Sequence, residues 1–164
     1  RKTMNPIPRN ESESDEQFVY TLADRCFAYL ERHGEDAGEK LTDEQHTLMA
    51  YVFLDSQVQE GGFLQLIATG YGDYVFANPL ADSLRRWKIK PTPKILDQAK
   101  TLYQRYGAEI EELAEQGSGL EDIRRRYGIF EELDGEYYEA SESDMQAVAE
   151  YIENEWPKFA DLPE

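Results

Sequence analysis

A chain of 164 residues with 40% hydrophobic content and eleven tyrosines can bury a real core, which excludes a disordered acidic tail. Its longest apolar runs, such as Tyr51 to Leu54, are far too short to cross a bilayer, so a membrane-spanning role is excluded. A formal net charge of −17 argues against direct binding of nucleic acid or of anionic lipid.

Residues 1–14, with two prolines and mixed charge, read as a flexible N-terminal arm. Ser14 or Asp15 then caps a helix in which Phe18, Leu22, Cys26 and Leu30 recur every four residues, and Gly34 ends it. Thr42 to Gln45 reads as a capping box for a second helix carrying Leu48, Tyr51, Val52, Asp55 and Val58. Gly61 stops or kinks that helix, Phe63, Leu66 and Ile67 begin another short one, and Gly70 and Gly72 close it. Asn78-Pro79 reads as a cap with a first-turn proline for a helix to about Lys88, and Thr92-Pro93 repeats the device. Ile95, Leu96, Ala99, Leu102, Tyr103 and Tyr106 mark a clear amphipathic helix that continues past Gly107 to Gln116. Leu120, Ile123 and Tyr127 predict a short helix, and Phe130 to Tyr138 a weak helical turn. Ser141 to Asp144 resembles a capping box before the last stripe, Met145, Val148, Ala149, Ile152 and Trp156. No period-2 strand and no internal repeat is found. The expectation is all-α: one irregular bundle of about eight helices over residues 15–164.

The charge is unevenly placed. Residues 1–10 carry three bases and no acid, and residues 11–60 carry 13 acids against 3 bases. Residues 61–106 carry 3 acids against 7 bases, and residues 107–164 carry 18 acids against 4. Two acidic blocks therefore flank a mildly basic middle, a field that attracts basic proteins over about 8 Å at physiological salt.

Chemistry is sparse. The two histidines, His33 and His46, form no metal-ligand spacing, and the single cysteine, Cys26, cannot build a thiolate cluster, so no zinc site is expected. Cys26 also excludes an internal disulfide and fits a reducing cytoplasm. No phosphate loop, EF-hand or nucleophile elbow occurs, and no catalytic residue, cofactor or metal is assigned. Asp55, Gln57, Glu60, Gln65 and Asp73 could line a carboxylate-bearing cleft. The favoured reading is structural: Asp55 and Gln65 hydrogen-bond the backbone amides freed around Gly61-Gly62. Arg124-Arg125-Arg126, set among acids, reads as an intramolecular ion-pair hub.

The most particular stretch is Leu54-Asp55, Val58, Gly61-Gly62-Phe63, Gln65 and Gly72-Asp73-Tyr74. In these residues the chain resembles the small acidic bacterial domain family named after a DNA-mimic protein. The likeness runs from Leu41 to about residue 152 and takes in Glu132 to Tyr138. Gln59-Glu60 stands where the family favours asparagines, and Leu64, Leu66 and Ile67 replace bulkier or polar types.

The resemblance implies an all-helical protein, often dimeric, that presents carboxylates as surrogate phosphates to a basic DNA-binding protein. On α-helices, carboxylates four residues apart lie roughly 6 Å from one another. Glu109, Glu111, Glu112 and Glu115 are the first candidate row, and Glu142, Glu150 and Glu153 the second. The same field would serve an immunity or antitoxin-like binder of a basic toxin or nuclease. A carboxylate-based enzyme or small-ligand module at Asp55 to Asp73 is the third reading.

Overall fold

The computed structural model describes residues 7–163, so the first six residues of the expected arm lie outside the described ones. Among the described residues there are seven α-helices, three 3-10 turns and no strand. The helices are α1 (Asp15–His33), α2 (Asp43–Ala68), α3 (Gly72–Phe76), α4 (Leu80–Arg86), α5 (Pro91–Glu115), α6 (Leu120–Arg126) and α7 (Glu131–Asn154). None is long and apolar enough to cross a membrane. The chain divides into two compact units, one of residues 1–52 and 145–164, the other of residues 53–144.

In the first unit, both N-termini that looked capped are capped. Ser14 accepts from the Gln17 N–H at 3.1 Å while the Gln17 side chain accepts from the Ser14 N–H at 3.0 Å. Thr42 and Gln45 do the same for α2 at 3.0 and 2.9 Å. Gly34, at φ 88, ends α1 in a conformation that favours glycine. Arg9 is held by Asp15 and Glu153 at 2.6 and 2.8 Å and lies over the Phe18 ring, which fixes this part of the chain before α1. The core is apolar: Phe18, Val19, Leu22, Leu48, Tyr51, Val148 and Ile152 are buried. Cys26 packs there with Tyr29, Leu41 and Met49.

In the second unit, α3, α4 and α6 are short, and burial of Val75, Phe76, Leu84, Ile95, Leu96, Ile110, Ile123 and Phe130 provides the core. Three expectations about helix ends are corrected. Asn78 does not cap α4; its amide donates to the Tyr74 carbonyl at 2.5 Å and closes α3 instead. Thr92 lies inside the first turn of α5, where its N–H and hydroxyl both bond the buried Asp144 carboxylate. Helix α7 runs unbroken through residues 138–144, and Ser141 donates back to the Tyr138 carbonyl at 3.0 Å instead of capping a new helix. Merging those two expected elements, joining the expected helices on either side of Gly61 in one α2, and gaining α3 yields seven helices where about eight were expected.

Candidate protein-interaction surface

The glycine pair produces a joint inside α2. Gly61 and Gly62 leave helical geometry at φ −152, ψ 19 and φ 76, ψ −175, so the backbone groups around them need partners from elsewhere. The carboxylate of Asp134, on α7, accepts from the Phe63 N–H at 2.8 Å. The guanidinium of Arg124, on α6, donates to the Gly61 carbonyl at 2.9 Å, and the Tyr138 hydroxyl donates to the Val58 carbonyl at 2.9 Å. Leu54, Val58 and Phe63 are fully buried beside them.

The amide of Phe63 therefore goes to Asp134, not to the Asp55 and Gln65 expected to serve this joint. Asp55, buried, accepts from the Tyr137 hydroxyl at 2.7 Å and from Gln59 at 3.4 Å. Gln65 donates to Gln57 at 3.3 Å. Burial pushes the Asp134 carboxyl above its ordinary value, and the Phe63 amide and Arg124 partly offset that. Arg125 pairs with Asp122, so of the three arginines one serves an ion pair and one the backbone.

The rest of the motif is placed by Tyr103. Its ring lies against Gly72, where a Cβ would meet it at 2.5 Å, and its hydroxyl donates to Asp73 at 2.9 Å. Tyr74 meets Phe53 edge-on, with ring centroids 5.6 Å apart. Asp55 and Asp73 thus bond different tyrosines, each with a packing role. Among the described residues, no group of three or more ligating side chains is placed to hold a metal ion.

The glutamates of α5 are placed differently. Glu109, Glu112 and Glu115 are exposed and Glu111 is half-buried. They occupy the C-terminal part of their helix, and Glu112 and Glu115 lie in its last turn, where the backbone dipole is negative and a carboxylate costs about 0.3–1 kcal/mol. No basic residue balances the last turn. Two of the four are aimed by phenols: Tyr127 donates to Glu109 at 2.8 Å, and Tyr103 reaches Glu111 at 3.2 Å. The Glu109 hydrogen bond raises the Tyr127 phenol, and burial followed by the Asp73 hydrogen bond raises that of Tyr103, so both hydroxyls stay protonated donors. Gln116 donates to Glu112 at 3.3 Å.

On α7, Glu142, Glu150 and Glu153 are all exposed. Glu150 accepts from Gln146 at 3.4 Å, while Glu153 has Arg9 against it and so presents less net charge than the sequence suggested. The phenols of Tyr103 and Tyr127, which bond these carboxylates, are the side chains of this candidate surface that sequence reasoning missed. The detectable signal was the row of acids at the wrong end of an amphipathic helix.

The sequence model of the DMP19-like protein family matches residues 39–155. The chain belongs to this family. It is similar to the DNA mimic protein DMP19 of Neisseria meningitidis serogroup B (strain ATCC BAA-335 / MC58), with 51% identity over 144 residues, 88% of this chain and 87% of that protein. The matched DMP19-like stretch contains the whole joint with Asp134, Arg124 and Tyr138, and every glutamate of both candidate rows. Helix α1 lies outside it.

Proposed function

We propose that this chain is an acidic protein-interaction domain acting as a DNA mimic in the cytoplasm. It presents carboxylates in place of phosphates and occludes the nucleic-acid-binding surface of a basic protein. The observation that carries this reading is the end of α5, where four glutamates cluster with no basic residue in the last turn, Glu112 and Glu115 stand against their own helix dipole, and Glu109 and Glu111 are aimed by neutral phenols. Acidic side chains placed where they cost stability, with no basic residue to offset them, mark a functional surface. The 51% identity to a protein named as a DNA mimic supports the same reading.

The mechanism is competitive. Duplex DNA carries a charge every 3.4 Å along each strand, and helical carboxylates three or four residues apart recur at about 5–6 Å. Lysine and arginine side chains that would meet phosphates meet Glu109, Glu111, Glu112 and Glu115 instead. Glu109, Glu111 and Glu112 bond neutral donors, so no paired cation offsets them, and the two held by phenols need little further ordering when a partner docks.

The test starts from a basic DNA-binding protein captured on this chain from a lysate of its native host. That protein is bound to a fluorescent duplex and challenged with this chain. Displacement that weakens with salt, and that a Glu111→Gln, Glu112→Gln, Glu115→Gln variant loses, is the expected result. Equal displacement by that variant, at low salt as well, removes this surface from the mechanism.

A further inference from the structure

Tyr71 is the most exposed large hydrophobic side chain among the described residues, at 65%. Its backbone is nevertheless fixed. Gly70 takes the turn at φ 83, and the Thr69 hydroxyl donates to the Leu66 carbonyl at 2.6 Å while accepting from the Tyr71 N–H at 3.1 Å. The ring stands edge-on to the half-buried Phe53, centroids 6.3 Å apart at 89°, and Phe53 is braced in turn by Tyr74. An aromatic side chain is thus held out in water by a rigid turn, which is how binding anchors are displayed.

The charge beside it indicates what it meets. Asp73, two residues on, is exposed and bonded to the Tyr103 hydroxyl, which also reaches Glu111 at 3.2 Å. One phenol proton cannot serve both carboxylates at once, so acceptor capacity remains for an incoming donor.

We propose that Tyr71 is the aromatic anchor of the interaction surface and receives an arginine side chain of the basic partner, its guanidinium stacking on the ring and donating to Asp73. This rests on the mimic reading above. A planar cation with a fork of N–H groups suits a ring beside a carboxylate, whereas the compact, strongly hydrated ammonium of lysine suits it less well.

Nona-arginine and nona-lysine peptides are the probes, titrated calorimetrically into the wild type and into Tyr71→Ala, Tyr71→Phe and Asp73→Asn at low salt. Tyr71→Ala should weaken nona-arginine about two- to fivefold, the range of an exposed cation–π contact, and nona-lysine by less. Tyr71→Phe should keep the wild-type ratio of the two affinities, and Asp73→Asn should lower it. Circular dichroism melts check that the variants stay folded, as a side chain this exposed allows. Both peptides binding with a ratio unchanged by Tyr71→Ala and Asp73→Asn would overturn the anchor and leave the mimic reading standing. Binding of neither peptide would overturn both.

Discussion

Replacing Gly62 with alanine tests the joint directly. At φ 76 and ψ −175 the residue occupies a region that only glycine enters freely, and an alanine there costs about 1–3 kcal/mol. The new methyl would also run into the Asp134 carboxylate. Pushing Asp134 away strips the acceptor from the Phe63 N–H in a buried site, a further loss of about 1–3 kcal/mol. The expected total is roughly 2–6 kcal/mol, a large share of the 5–15 kcal/mol typical of folded domains. For a chain of this size it lowers the melting temperature by about 5–20 °C. Urea titrations and circular dichroism melts measure it. Asp134→Ala alone should cost only the amide term, so the double variant should be about 1–3 kcal/mol less destabilised than the sum of the two. Strict additivity, or a Gly62→Ala effect within about 0.5 kcal/mol of the wild type, would refute the account of the joint.

Tyr137→Phe removes a donor from the buried Asp55 carboxylate and should lower stability by about 1.5–3 kcal/mol in urea, whereas Tyr71→Phe should leave the urea midpoint unchanged. Burial raises the Asp134 carboxyl in the folded state, so the folded chain holds that proton to a higher pH than the unfolded one. The contribution of Asp134 to stability then falls as pH rises from the ordinary value of about 3.9 through the raised one. Asp134→Asn should therefore gain on the wild type across that window; a stability difference between them that stays constant from pH 4 to 7 contradicts the shift. Burial pushes the Cys26 thiol up to about 11, so at pH 8 it should react with a thiol reagent far more slowly folded than in urea, and equal rates would place it at the surface.

What could be read from the sequence follows the range of the interactions. The caps at Ser14 and Thr42 span three residues each, and they were visible because their donor and acceptor sit in one short window. The glycine joint was visible as a break in periodicity, but its partners were not. Asp134 and Arg124 lie 71 and 63 residues from the groups they serve, while Gln65 stood close by with a plausible amide. Ser141 to Asp144 misled for the converse reason: the local pattern was that of a cap, but Asp144 is taken by Thr92, 52 residues away. Helix α3, at five residues, is too short for periodicity to register. The glutamates of α5 were legible as charge. Tyr103 and Tyr127 were assigned to apolar stripes, and nothing local shows that such a ring can end in a hydroxyl bonded to a carboxylate.

The choice of donor on those glutamates is what reconciles a high charge with a defined surface. A carboxylate can be oriented by a lysine or an arginine, but the pair is then neutral and offers little to a basic partner. Arg9 does this to Glu153, and Arg85 does it to Asp82 and Asp97. A phenol orients through one hydrogen bond and brings no positive charge, as Tyr127 does for Glu109 and Tyr103 for Asp73 or Glu111 in turn. The cost is residual repulsion between like charges, a few tenths of a kcal/mol for helical neighbours such as Glu111 and Glu115. Salt bridges would remove that repulsion and, with it, the negative field that the proposed mimicry needs. Neutral donors at these positions are therefore what an imitation of phosphate requires, and charged ones would defeat it.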